Sequence, residues 1–328
     1  MKKLYLFLIS LLLFVNLFGQ NIQTDDTFKP SGKPFVKIYT NFQRNFSGGK
    51  ARSLFAVTRA YLGYKYAFSK NLSAKVNLDV GNPGVGRLQM TAYLRNAYVQ
   101  YKKNRLTARL GLIDTYIFHL QENLWGKRYL FKSFQDRYGF GPSADLGASL
   151  AYQLNSFISA DISVLNGEGY KRIEVDSTLK YTVGITFTPT KTLTFRVYYD
   201  YMYKQAAQQT LSFFLAYTGG NWVAGAEYNK QYNHTMFPGR TYSGYSFYVT
   251  RYFKKINIFG RYDNISSVTL ANEDNPWNFA KGGQAVVAGV EFSPVKGIKI
   301  SPNYQYWKPR DTSRSSISGV YLSVEIKF

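Results

Sequence analysis

The chain has 328 residues, 18% of them aromatic, with 29 Tyr, 25 Phe, no Cys, two His and a formal charge of +22. The missing Cys excludes disulfides and thiolate chemistry, and His119 and His234 alone are too few for an imidazole metal site. No cofactor motif is present. A charge this basic selects for anionic partners: nucleic acid, lipid head groups or anionic solutes.

Residues 1–20 read as an export signal. Met1-Lys2-Lys3 is a short positive start, Leu4 to Phe18 is apolar apart from Ser10 and Asn16, and Gly19-Gln20 precedes a polar segment. The apolar run is shorter than the ~20 residues of a spanning helix, so a cleaved signal is expected. Export removes nucleic acid from the partners and leaves lipid head groups, anionic solutes, or both. Residues 21–33 (NIQTDDTFKPSGK) are polar, contain Pro and Gly, and read as a flexible N-terminal segment.

Alternation then begins and runs to Phe328. In Leu72–Gly81, the apolar Leu72, Ala74, Val76, Leu78 and Val80 alternate with Ser73, Lys75, Asn77 and Asp79. In 193–204, Phe195, Val197 and Tyr199 alternate with Arg196, Tyr198 and Asp200. The end of the chain does the same, with Val320, Leu322, Val324, Ile326 and Phe328 against Tyr321, Ser323, Glu325 and Lys327. Side chains on a strand point to opposite faces with period two. One face is therefore apolar and the other polar.

About sixteen strands are predicted, at 35–46, 53–68, 72–81, 90–101, 106–115, 145–153, 157–165, 181–188, 193–204, 209–218, 222–232, 242–253, 256–266, 282–293, 298–307 and 317–328. Their connections are expected to alternate strictly. Short turns such as 69–71, 102–105 and 254–255 alternate with mostly longer stretches at 47–52, 82–89, 116–144, 166–180, 205–208, 233–241, 267–281 and 308–316. An even strand number, short turns at one end and long loops at the other are marks of a transmembrane antiparallel β-barrel. Aromatics crowd strand ends (Tyr64, Tyr66, Phe68; Tyr199, Tyr201, Tyr203; Tyr304, Tyr306), where interfacial girdles belong. The expected architecture is all-β: a barrel over 34–328 whose long third external loop folds into the lumen.

That loop, 116–144, is the longest break in the alternation. Loops beyond about 12–15 residues are usually functional or disordered. This one is too aromatic for a disordered linker, and it carries Glu122, Lys127, Arg128, Lys132, Asp136 and Arg137. Trp125, Tyr129, Phe131 and Phe134 are expected to pack on the wall while the charges meet a solute.

The polar faces carry Lys37, Arg59, Lys65, Lys75, Arg109, Arg196, Arg261 and Lys299 against Asp79, Asp161, Asp200, Glu227, Asp263, Glu291 and Glu325. Two readings stand side by side. These groups pair and keep the lumen wet, or unpaired bases near the loop (Arg59, Lys75, Arg109 and Arg196 with the loop cations) bias a pore toward anions, as basic rings do. The facing of Arg95 is ambiguous, because it shares parity with Tyr93, Ala97 and Val99. Replacing Arg196 by Gln is expected to alter conductance and to leave stability nearly unchanged. Basic residues of the external loops, among them Lys50, Arg52, Arg87, Lys171, Arg172, Arg240, Lys281, Arg310 and Arg314, are assigned to outer-leaflet glycolipid.

The export signal, the alternation, the long third loop and the terminal Phe328 together resemble the sixteen-stranded bacterial outer-membrane porins. The block Glu122, Trp125-Gly126, Arg128 and Ser143-Ala144-Asp145-Leu146-Gly147 is similar to the phosphate-selective branch. Members of that branch are longer and carry a dense basic ladder, whereas the polar faces here are mixed in sign. The resemblance implies an integral outer-membrane protein, passive diffusion of small hydrophilic solutes, recognition of Phe328 by the barrel-assembly machinery, and a homotrimer.

A barrel hydrolase needs a nucleophile, base and orienter in contact, and neither His sits in such a pattern, so no enzyme is expected. Gly81-Asn82-Pro83-Gly84-Val85-Gly86 opens no helix and supports no phosphate-cradling loop. A plugged structural or secretion-associated barrel remains open as the alternative.

Overall fold

A computed structural model describes residues 28–82, 90–175 and 177–328. The export signal, residues 21–27 of the N-terminal segment, Arg87 and the glycine-rich turn at 83–86 lie outside the described residues.

Sixteen strands form the wall: β1 (Ser31–Ser47), β2 (Lys50–Ala67), β3 (Leu72–Gly81), β4 (Thr91–Lys103), β5 (Leu106–Asp114), β6 (Ala144–Gln153), β7 (Ile158–Leu165), β8 (Lys180–Phe187), β9 (Leu193–Tyr203), β10 (Ala207–Gly219), β11 (Trp222–Tyr232), β12 (Tyr242–Tyr252), β13 (Ile256–Ser267), β14 (Gly283–Phe292), β15 (Ile298–Pro309) and β16 (Ile317–Lys327). Each pairs with its sequence neighbours, and β1 pairs antiparallel with β16 from Lys37↔Lys327 to Ser47↔Ile317. The barrel is therefore closed and has no free edge along that seam. Phe328 completes it, since its N–H donates to the Val36 carbonyl at 3.1 Å and its carbonyl accepts from the Val36 N–H at 2.8 Å.

The two faces are inverted relative to a water-soluble protein. Phe195 and Val197 are 40% and 44% exposed, while Arg196 between them is 5% exposed. Along β13, Arg261 and Asp263 are buried and Ile258 is exposed. In a closed barrel the sheltered face is the inner one, so polar groups line the inside and a belt of Val, Ile, Leu and Phe covers the outside. An apolar belt of that extent has no counterpart on soluble monomers and matches the lipid-facing surface of a transmembrane barrel. Rings sit at both ends of this belt: Tyr64 and Phe68 beside the 68–71 turn, and Tyr201 and Tyr203 beside the 204–206 turn.

The structure departs from the sequence reading in four places. First, β1 begins at Ser31, so residues 31–33 of the N-terminal segment pair with β2 (Ser31↔Ala67). Second, the connection expected at 47–52 is a two-residue turn, Gly48-Gly49, with φ of 54° and 77°. Left-handed conformation at both central positions is what a type I′ hairpin needs, and Gly supplies it without strain. The β9–β10 connection is also tight (204–206). Long and short connections therefore do not alternate strictly, although every long one lies at the same end.

Third, β4 carries a bulge. Asn77 pairs with Asn96 while Leu78 pairs with Leu94, which leaves Arg95 as the extra residue. A bulge shifts the facing parity of its strand. Arg95 and Asn96 consequently both turn inward, which is why parity alone could not place Arg95. Fourth, the long segment between β5 and β6 contains two short helices, α1 (His119–Trp125) and α2 (Phe134–Tyr138). Each ends on a left-handed glycine, Gly126 (φ 64°) and Gly139 (φ 77°), whose N–H closes the last turn.

Candidate functional site: the segment between β5 and β6

The segment is pinned at its base. Thr115 donates from its N–H to the Ser143 carbonyl and from Oγ1 to the Pro142 carbonyl at 2.6 Å. Arg196 on β9 donates through Nη2 to the Tyr116 carbonyl at 3.1 Å.

One side of the segment is apolar and buried. Trp125 and Phe131 pack with Phe214, Tyr248, Phe259 and Val287 on β10–β14. The Trp125 ring meets Tyr248 edge-on at 5.3 Å, and its Nε1 donates to the Phe131 carbonyl at 2.8 Å. Phe134 and Phe140 join Tyr198, Tyr242 and Ile265. Tyr129 packs 6.4 Å from Tyr39 on β1 and donates to Glu291 at 2.9 Å. Burying these rings supplies roughly 1.5–3 kcal/mol each relative to exposure.

Polar contacts fix the register. Gln135 Nε2 donates to Ser212 Oγ (2.8 Å) and Asn229 Oδ1 (2.7 Å). Arg261 donates to the Lys132 carbonyl, and Gln305 to the Leu130 carbonyl. Tyr138 donates to Asp263, and Gln231 to the Phe140 carbonyl. These partners lie on β10, β11, β13 and β15, and all come from the polar faces of the wall.

The charged residues of the segment divide into two groups. Arg128 bridges Glu122 (3.1 Å) and Asp136 (2.9 Å), and Lys132 reaches Asp136 at 3.4 Å. These four form one chain of alternating sign. Lys127 corrects the sequence reading. It is 1% exposed, its Nζ donates to Thr250 Oγ1 at 2.9 Å, and it lies 5.2 Å over the Phe259 ring. It is buried between the segment and the wall. Arg137 is exposed, stacks 4.1 Å from the Phe131 ring, and forms no ion pair among the described residues.

The opposite wall, β2–β5, carries its own pairs. Arg59 contacts both oxygens of Asp79 at 3.0 Å, and Tyr170 also donates to Asp79. Asp114 receives Lys75 at 3.1 Å and Arg95 at 2.8 Å. Arg109 meets no carboxylate among the described residues. Its Nε donates to Gln100 at 2.8 Å, and its guanidinium lies over Tyr98 and Tyr116. Arg196 is held bidentately by Asp161 at 2.7 and 2.9 Å.

Three cavities flank the segment. One, of about 560 Å³, opens at the long-connection end between Arg59 on β2, the Arg128–Lys132–Asp136 edge and the 166–179 connection. Two more, of about 470 and 460 Å³, lie toward the short-turn end. Lys102, Arg105, Tyr116 and Arg196 border the first, Lys33, Lys65, Lys75 and Arg109 the second, and His119 lines both. Lys171 and Arg172, assigned from sequence to glycolipid, line the 560 Å³ cavity. Burial, then the nearby Arg59, lowers the pKa of Lys171 below the ordinary lysine value.

Sequence reasoning missed Arg95, Asp114 and Lys180. The bulge hid the facing of the first, Asp114 lies near the end of the strand expected at 106–115 and was not singled out, and Lys180 falls in the connection expected at 166–180. His234 stacks on Trp277 at 5.3 Å in the 233–241 connection.

No family model and no curated protein matches the chain. Solved structures do match. An OmpF from Salmonella typhi, in complex with daunomycin, superposes with a TM-score of 0.67 at 11% identity, covering 90% of this chain and 97% of the other. An anion-selective porin from Comamonas acidovorans gives 0.64 at 12%, covering 92% and 100%. The outer-membrane channel DcaP of Acinetobacter baumannii gives 0.64 at 12%, covering 91% and 97%. The fold is that of the sixteen-stranded bacterial outer-membrane porins. At these identities the likeness is one of architecture.

Proposed function

We propose that the protein is an integral outer-membrane porin: a water-filled pore for passive diffusion of small hydrophilic solutes, narrowed by the 115–143 segment and weakly anion-preferring. The observation that carries this reading is the division of that segment into two sides. Its aromatic side packs on the β10–β15 wall. Its charged edge borders an aqueous cavity that Arg59 closes from across the barrel. A segment whose partners lie on β1 and on β9 through β15 at once reaches them from inside the barrel, as a constriction does.

Paired charges nearly cancel at a distance, so selectivity rests on the unpaired ones. Arg109, Arg137, Lys171, Arg172 and Lys180 are basic and none is bridged to a carboxylate among the described residues; the unbridged carboxylates Asp200, Glu227 and Glu325 oppose them, the first two being buried in the wall. In a narrow, partly dehydrated path such charges act at a dielectric well below that of bulk water. The rest of the wall is mixed and mostly paired, which favours a general anion preference over phosphate specificity. The long connections face outward in this reading, where their Arg and Lys meet glycolipid phosphates. Phe328 marks the chain for barrel assembly, and the barrels associate as trimers.

Single-channel recording of the purified barrel in a KCl gradient tests the proposal. Stable conductance and a reversal potential of anion sign are expected. Deleting 118–140 raises the conductance. A cation-sign potential refutes the preference, an unchanged conductance after deletion removes the segment from the constriction, and a silent barrel refutes the pore.

A further inference from the structure

The 560 Å³ cavity has more in it than a diffusion path needs. Three basic side chains on one side of it, Lys171, Arg172 and Lys180, come from the 166–179 connection and the first residue of β8. Lys180 is 4% exposed and has no carboxylate within ion-pair distance among the described residues, although the buried Asp145 and Asp200 act on it at longer range. A buried ammonium with no directly bonded counter-ion is incompletely compensated, and an oxyanion in the cavity would complete that compensation. Arg59, Arg128 and Lys132 line the other side, each already bridged to a carboxylate, so they offer further N–H donors rather than unpaired charge. Two carboxylates, Asp136 and Glu168, also line the space. Asp136 is already engaged by Arg128 and Lys132.

The remaining lining is not what a simple inorganic ion selects. Phe140, Pro142, Val175 and Met202 contribute carbon surface. The volume of about 560 Å³ is far larger than the ~30 Å³ share of one water. Basic groups on two sides of a partly apolar space match a molecule with a carbon body and more than one oxyanion.

We infer that this cavity binds small organic polyanions, such as polycarboxylates, before they pass the constriction. The inference rests on the pore reading for its biological sense but not for its test. Binding charges at the mouth of a narrow path raises the local solute concentration there. Salt weakens the attraction, because the Debye length falls to ~3 Å at 1 M.

The test uses citrate as the probe, sulfate as an inorganic anion and sucrose as an uncharged solute. Isothermal titration of the lipid-embedded barrel at low salt should show citrate binding, sulfate at least tenfold weaker, and no sucrose heat. Lys171→Gln with Arg172→Gln lies on a surface connection and leaves the wall intact. It should weaken citrate at least tenfold, and Lys180→Met should do the same. Citrate affinity unchanged in the Lys171/Arg172 variant, or sulfate bound as tightly as citrate, overturns the inference. Channel recording separates this from the pore reading. A conducting barrel that does not bind citrate overturns the site and leaves the pore, whereas citrate binding to a silent barrel leaves the site and overturns the pore.

Discussion

Replacing Arg196 by Gln tests how far the inner wall depends on its ion pairs. Arg196 makes four bonds: to Asp161 Oδ2 at 2.7 Å, Asp161 Oδ1 at 2.9 Å, Thr186 Oγ1 at 2.9 Å and the Tyr116 carbonyl at 3.1 Å. The two side chains are only 4% and 9% exposed. Gln cannot reproduce the planar fork or the charge. Asp161 is then left as a buried, unpaired carboxylate, which costs about 3–5 kcal/mol. The expectation from sequence alone, a conductance effect with little loss of stability, is therefore replaced by a large loss. Urea unfolding in lipid vesicles, followed by tryptophan fluorescence, measures it. Adding Asp161→Asn should recover about 1–3 kcal/mol, because the stranded charge is gone and the two sites couple directly. A single variant within about 0.5 kcal/mol of wild type, or a double variant no better than the single, would refute the reasoning.

Val197→Arg, one residue further along, places a charge on the lipid face and should cost about 2–4 kcal/mol if it lies near the bilayer midplane; no loss in the same unfolding assay would mean the face is misassigned. Protease added to intact cells should cut, if anywhere, within 268–282 and never at Lys102-Lys103 or Lys254-Lys255, and fragments sized by mass spectrometry read the orientation. Arg128→Gln strands Glu122 and leaves Asp136 to Lys132 alone, so the reversal potential should move further toward cations than with Arg137→Gln, which removes one base from the exposed rim; equal shifts would show that the Glu122–Arg128–Asp136 chain is not in the path. Burial, followed by Lys281, Lys180 and Arg240, lowers His234 to about 4. Its folded pKa lies below the unfolded value, so the stabilising neutral form is favoured at neutral pH and its contribution falls as pH drops from about 6.5 to about 4. Emission from the stacked Trp277 should titrate with a midpoint near 4 and lose that step in His234→Gln.

The sequence by itself determined the wall. Period-two alternation needs no tertiary information, because side-chain facing on a strand is local. It therefore located sixteen strands to within a few residues and put Arg196, Asp200 and Asp263 on one face. The Trp125, Tyr129, Phe131 and Phe134 cluster was legible for a similar reason: rings this dense in a long loop must be buried somewhere. Tertiary structure decided what local pattern cannot carry. The bulge at Arg95 is a property of two strands in register, so one strand's parity could not reveal it. The Gly48-Gly49 turn shortened a connection whose flanking residues looked polar, because β1 and β2 extend in pairing with each other. Lys127 and Arg128 are adjacent in sequence and similar in charge. One is sealed over Phe259 and the other holds two carboxylates, and only the path of the backbone between α1 and α2 separates them. Which bases stay unpaired depends on distances across a barrel between residues far apart in sequence. That is why Lys180 became a candidate ligand only once the chain was folded.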